Sequence, residues 1–173
     1  VESPSNPLMK VVDLKGISGL AKDNNIITMI DNTFASPVNQ NPIPLGIDIV
    51  IHSATKYLGG HSDILAGSVS SSKKNMESVF SVGKSLGGNL SDYTVWLLER
   101  SLKTLFVRVA KQNTNANELA HHLQNHDCIY KVFYPGLENS IYYNLAKNQM
   151  NDYTGMLSFE INKRISREIF ESN

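Results

Sequence analysis

Apolar positions along the first part of the chain alternate between a helical and an extended rhythm. Asp13 stands where a helix N-cap would, and Leu14, Ile17, Leu20 and Ala21 then keep one helical face as far as Asn24 and Asn25. The run Ile26 to Asp31 (IITMID) predicts a short buried strand that ends on an acid. Residues 32–46 carry Pro37, Pro42 and Pro44, which predicts mostly loop with room for one short helix. A second strand is predicted over Asp48 to Thr55 (DIVIHSAT), leading directly into Lys56 and the pair Gly59-Gly60, and a third near Leu65 to Ser71. β-branched runs alternating with helical patterns predict an α/β architecture around a mostly parallel sheet.

From Asp92 the rhythm changes. Val95, Leu98, Leu102, Leu105, Phe106 and Val109 recur at helical spacing, and residues 89–134 contain neither Gly nor Pro. That predicts one long helix, or two consecutive ones broken near Lys111 to Asn117. Strands are predicted at Tyr130 to Tyr134 and at Met156 to Ile161, the latter opening a new sheet. The Asn-rich stretch near Asn113 is the expected domain boundary. The chain starts in a proline-bearing loop and stops twelve residues after that last strand, so it reads as a fragment.

Composition narrows the function classes. Sixteen basic residues balance sixteen acidic ones in 173, which leaves no whole-chain footprint for nucleic acid or an anionic membrane. No apolar run approaches the roughly 18–20 residues that span a bilayer. Val1 to Lys10 holds two prolines and an acid, unlike a signal peptide. The single cysteine, Cys128, leaves no internal disulfide or thiolate metal cluster. A reduced, cytosolic (cytoplasmic) protein is expected.

Chemistry concentrates between Asp31 and Asp63. An acid ends one predicted strand and, 25 positions later, a lysine ends another. In a parallel sheet, strand carboxyl ends share the edge where open α/β folds bind ligands, so Asp31 and Lys56 are expected to face one crevice. Ser53 and Thr55 alternate, so an extended chain points both hydroxyls to one side. One acid, one lysine and two hydroxyls match the needs of pyridoxal phosphate (PLP). The lysine condenses with the cofactor aldehyde, the carboxylate pairs with the pyridine nitrogen, and the hydroxyls take the phosphate. Such a lysine is expected to be desolvated by burial. Spacing alone leaves open a plainer reading, in which Asp31 caps a turn and Lys56 is a surface amine. Elsewhere, Lys73-Lys74 reads as a solvated turn and Trp96 as packing. His121, His122 and His126 lack a carboxylate-rich partner motif and read as a polar helix face.

The literal strings favour PLP. SATKYLGGHSD resembles the cofactor-lysine signature of the Cys/Met metabolism PLP-dependent enzymes, the trans-sulfuration family. VESPSNPLMKVVDL resembles that family's ESPxNP segment, and IDNTFASPVNQNPIPLGIDIVIHSATK its aspartate-to-lysine region. LGGNLSDYTVWLLERSLKTLFVRV resembles its linking helix, and VFYPGL and TGMLSFEI its entry into the small domain, so essentially the whole chain is covered in order.

The resemblance implies a fold-type I PLP transferase architecture, aspartate-aminotransferase-like. Residues 1–112 would be the C-terminal part of the large PLP-binding domain with its linking helix, and 113–173 the start of a small α+β domain. It implies Lys56 as Schiff-base lysine and proton shuttle, Asp31 on the pyridinium, Ser53 and Thr55 on the phosphate, and Asn6 near the cofactor ring oxygen and the substrate carboxylate. His61 and Asp63 fall in the glycine turn as structural residues, and no metal is expected. Small amino-acid substrates and a homotetramer built as a dimer of dimers follow from the same resemblance. Within the family, the linking-helix and TGMLSFEI stretches look most like cystathionine γ-synthases, with cystathionine γ-lyase and methionine γ-lyase next. A truncated, non-catalytic interaction module is the alternative from a different class.

Overall fold

The computed structural model describes residues 1–162. Its first helix, α1 (Leu14–Asp23), starts where the Asp13 carboxylate accepts the Gly16 N–H at 3.0 Å. Strand β1 (Met29–Asp31) follows, then the short helix α2 (Ser36–Asn39), a 3-10 turn at Ile43–Leu45, and β2 (Ile49–Ser53). Next come β3 (Gly67–Ser71), α3 (Lys73–Leu86), α4 (Asp92–Leu102), α5 (Leu105–Gln124), β4 (Ile129–Phe133), α6 (Tyr143–Gln149) and β5 (Ser158–Ile161).

Among the described residues the first sheet has the order β1-β2-β3 and is mixed rather than mostly parallel. β1 and β2 are parallel, with Asp31 opposite Ile51, whereas β3 runs antiparallel to β2. The connection from β2 to β3 holds no helix. It doubles back through the Lys56 turn, so the strand it feeds has to return antiparallel. Residues 1–3 lie along the free edge of β1, the Asp31 N–H donating to the Val1 carbonyl at 2.9 Å. α1 packs Leu14 on Ile30, Val50 and Ile47. β4 and β5 form a separate antiparallel pair.

α5 is the spine. Its buried stripe joins the Lys56 turn, through Leu105 and Val109 against Ala54, Tyr57 and Leu58, to the second sheet, through Ala116 and Ala120 against Tyr134 and Leu137. The helix runs unbroken across Lys111 to Asn117, where a break is expected from sequence. The break falls instead at Lys103 and Thr104, where the Thr104 N–H and hydroxyl both donate to the Ser101 carbonyl. Asparagine is a weak helix former, but Asn113 is held by tertiary bonds. It exchanges amide hydrogen bonds with Asn39 at 3.0 and 2.7 Å and donates to Asp152 at 3.0 Å.

Lys73-Lys74 is not a turn; it opens α3, which Ser72 caps by accepting the Asn75 N–H and which ends at Gly87 in the left-handed region. None of its residues is buried, so no core-facing stripe marks it.

Candidate active site

Parallel pairing carries the β1 and β2 carboxyl ends to one edge. There Asp31 is exposed; its Oδ1 accepts the Thr33 N–H at 2.9 Å, and Thr33 Oγ1 accepts the Ser53 N–H at 2.8 Å. The Asp31 end of β1 is thereby stitched to the Ser53 end of β2. His52 is buried beside them. Burial pulls its pKa below 6.5, and the Asp31 charge offsets part of that.

β2 stops at Ser53. The chain then turns, with the Lys56 N–H donating to Ser53 O at 3.1 Å, Gly59 N–H to Ala54 O at 2.7 Å and Gly60 N–H to Lys56 O at 2.7 Å. Strand alternation therefore does not govern Thr55. Its hydroxyl donates to the Ala66 carbonyl at 3.3 Å and accepts the Ala66 N–H at 3.0 Å, closing the base of the turn. Tyr57 and Leu58 are buried and anchor the turn beneath Lys56. Lys56 itself is exposed, contrary to the burial expected of it, because it lies on the turn beyond the strand rather than inside the sheet. No described residue bonds its amine.

Arg108 of α5 grips this turn. Its guanidinium donates to the carbonyls of Tyr57 at 2.9 Å, Leu58 at 3.4 Å and Ser101 at 3.0 Å, and its Nε to Thr104 Oγ1 at 3.1 Å. Gly60 has φ +74, which favours glycine, and a Cβ there would fall 2.0 Å from Arg108 Nη1 and displace the guanidinium. Helical spacing alone does not single out Arg108, since its partners are backbone carbonyls far away in sequence. His61 bonds within the same turn, through Nδ1 to Gly59 O at 2.7 Å and to Ser101 Oγ at 3.3 Å.

A cavity of about 950 Å³ opens over the turn. Asn6, Thr55 and Lys56 line it together, with Asp63, Gln112 and Gly155 among the other walls. Asp31 and Ser53 lie on the adjoining strand ends, outside its lining. Asn6 arrives on the ESPSNP segment, whose Glu2 carboxylate accepts the Asn6 N–H at 3.2 Å.

Residues 1–172 match the sequence model of the Cys/Met metabolism PLP-dependent enzymes. The chain belongs to that family. It is 44% identical over 173 residues to cystathionine beta-lyase of Lactococcus lactis subsp. cremoris (strain MG1363), covering 99% of this chain and 46% of that protein. It is 41% identical over 168 residues to cystathionine gamma-synthase 1 of Arabidopsis thaliana, covering 97% of this chain and 30% of that protein. A solved structure of cystathionine gamma-lyase from Lactobacillus plantarum complexed with L-serine superposes with a TM-score of 0.93 at 38% identity, covering 96% of this chain and 44% of that one. The chain thus spans about half the length, or less, of the relatives it matches. Proteins named for three different reactions match at comparable identity, so the comparisons single out none of them, the γ-synthases included. The shared sequence is common to all of them.

The residues present fit the family's cofactor, PLP. Its aldehyde needs a primary amine free of protein partners, and Lys56 offers one at the cavity wall. Its protonated ring nitrogen needs a carboxylate, and Asp31 keeps one exposed at the strand edge. Its phosphate needs hydroxyl donors; the Ser53 side chain bonds to no described residue, while the Thr55 proton is directed at Ala66.

Proposed function

We propose that the protein is a PLP-dependent enzyme that cleaves a carbon–sulfur bond in a small sulfur-containing amino acid by elimination. The observation that carries this is the unpartnered Lys56 amine at the wall of a cavity shared with Asn6 and Thr55. The names of the Lactococcus and Lactobacillus relatives support elimination over replacement. PLP, when bound, supplies an electron-accepting ring that stabilises negative charge on the substrate α-carbon.

The chain's own residues do the rest. Lys56 would hold the cofactor through its amine, and the same amine would take the proton from the substrate α-carbon. Its place on an exposed turn gives the amine reach. Asp31 keeps the ring nitrogen protonated, anchored by its bond to Thr33. Ser53 and Thr55 hold the phosphate, Thr55 by redirecting its hydroxyl from Ala66. Asn6 orients the substrate carboxylate.

Residues 1–112 are the large-domain portion and 113–173 the start of the small domain, of which 163–173 lie outside the described residues. The two packing partners of α5 support this division. A cytoplasmic homotetramer is the assembly proposed. Exposed Phe80, Leu86, Trp96 and Phe106 support association, and no helix of the described residues is long and apolar enough to cross a membrane.

The test is to give the full-length protein PLP and cystathionine with no second amino acid. Release of a thiol and a keto acid, abolished in Lys56→Ala, is expected. Product formed only from an activated homoserine plus cysteine would make replacement, as in the gamma-synthases, the correct reading. Undiminished turnover by Lys56→Ala would end the assignment.

A further inference from the structure

Between α6 and β5 the chain crosses the first part of the molecule as a strap that hydrogen bonds hold at intervals. Gln149 Nε2 donates to the Val12 carbonyl at 3.0 Å, the Asn151 N–H to the Asn39 carbonyl at 2.7 Å, and Ser158 Oγ to the Pro7 carbonyl. None of those partners belongs to the lysine turn. Thr154 is the residue of the strap that reaches it.

Thr154 is fully buried. Its Oγ1 donates to the Phe34 carbonyl at 2.6 Å, accepts the Met156 N–H at 3.2 Å and lies 3.4 Å from Tyr57 Oη. A hydroxyl has one proton, and the short bond to Phe34 takes it, so Tyr57 is the donor across the longer contact. Burial raises the Tyr57 pKa, which keeps that proton in place. The Thr154 carbonyl in turn accepts the Tyr134 hydroxyl at 3.1 Å.

Phe34, Lys56, Tyr57, Gly155 and Met156 line one cavity. Phe34 follows the Asp31 strand end and Tyr57 adjoins Lys56, so the Thr154 hydroxyl joins the Asp31 side, the lysine turn and the strap. The strap also bears directly on the turn, since a Cβ placed on Gly155 would lie 2.8 Å from Tyr57 Oη. Valine has the shape of threonine and would meet the packing equally well. It would, however, leave the Phe34 carbonyl without its donor and Tyr57 Oη without its acceptor. Lys56 depends on such outside support. Its side chain is exposed, so the backbone of the turn directs the amine, and Tyr57 is the buried anchor next to it.

We propose that Thr154 is a positioning residue for Lys56, its hydroxyl holding the strap, Phe34 and Tyr57 together so that the turn presents the amine to the cavity in one place. The assignment rests on the reading of Lys56 as the cofactor lysine.

The test compares Thr154→Val, which keeps the shape and removes the hydroxyl, with Thr154→Ser, which keeps the hydroxyl. Full-length protein freed of cofactor is given PLP and cyanoborohydride well below every unfolding midpoint. Peptide mass spectrometry then compares the rate of attachment at Lys56 with that at the exposed Lys73 in the same sample. In Thr154→Val the Lys56 rate should fall about tenfold relative to Lys73, and in Thr154→Ser it should stay within about twofold of the parent, since roughly 1 Å of misplacement suffices for the larger loss. With cystathionine, kcat should fall in Thr154→Val while KM stays nearly unchanged, because the placement of the reacting amine is lost and substrate binding is not. A Thr154→Val protein with a lower unfolding midpoint but the parent's Lys56-to-Lys73 ratio would make Thr154 purely structural and overturn the proposal; so would a serine variant as impaired as the valine one. If Thr154→Val does not fold, Tyr57→Phe decides, since it removes only the hydroxyl that rests on Thr154. The ratio should then fall about two- to threefold, and an unchanged ratio would overturn the proposal. A parent whose Lys56 reacts no faster than Lys73 would instead remove the reading of Lys56 itself, whatever the variants do.

Discussion

Replacing Asn113 by alanine should destabilise the protein far more than the size of the side chain suggests. Asn113 is 3% exposed and Asn39 is 1% exposed, and the two exchange both amide hydrogen bonds. Asn113→Ala strands both ends of the Asn39 amide in a site closed to water and releases Asp152 Oδ2, which is near the surface and can be rehydrated. At about 1–3 kcal/mol for each buried group left unpaired, the expected loss is about 2–6 kcal/mol. Asn39→Ala should cost less, about 1–2 kcal/mol, because the Asn113 nitrogen keeps Asp152 and only its oxygen is orphaned. The double variant leaves no orphan, so it should be less destabilised than the sum of the two, with a coupling of about 1–2 kcal/mol. Urea unfolding followed by circular dichroism, at one fixed protein concentration and with slopes compared, measures all four corners. Additive single effects would refute the reasoning, since they would mean that each asparagine finds other partners when its mate is removed.

Two further perturbations address the lysine turn and its surroundings. Gly60→Ala should cost about 1–3 kcal/mol through its positive φ and the Arg108 collision. Part of that loss should vanish in an Arg108→Ala background, and an identical cost in both backgrounds would show that the guanidinium does not crowd the turn. His52 should make the fold acid-sensitive. Its pKa is depressed by burial, so as pH falls the unfolded chain takes up the proton first, and stability present above 6.5 is lost progressively below it. His52→Asn should flatten unfolding midpoints between about pH 7 and about pH 5, and an unchanged slope would assign the acid sensitivity to another group.

What could be read in advance follows a physical dividing line. The Asp13 cap and the strands around Ile30 and Val50 are encoded by neighbours in the chain and appear in the expected order, though β1 is shorter than Ile26 to Asp31 and β2 stops at Ser53, before the turn that carries Lys56. Helix α3 was not foreseen. Phe80 and Leu86 of α3 are 72% and 79% exposed, so among the described residues they face no core, and the helix was missed in favour of a turn at Lys73-Lys74. β3 pairs antiparallel because of how the turn closes through Thr55 and Ala66, a contact between positions eleven apart that a strand pattern does not contain. For the site, the literal strings pointed to Lys56, Asn6 and Thr55, which line one cavity. Arg108 was invisible, because its significance lies in the backbone carbonyls that stand opposite it.

That dependence on opposition explains why an asparagine sits in the buried stripe of α5. Val109, Asn113, Ala116 and Ala120 face inward at helical spacing, and three of the four are apolar. An all-apolar stripe would tolerate sliding of the helix along its axis, since Val and Ala make no directional demand. The Asn39 amide does make one. A shift by one turn that set Val109 opposite it would orphan both of its ends. The pair therefore fixes the axial register of α5 against α2. Arg108 lies five residues before that lock, so the same register decides where the guanidinium meets the carbonyls of Tyr57 and Leu58. A polar group in the core thus sets the geometry of the turn that carries Lys56, although it touches neither the turn nor the cavity.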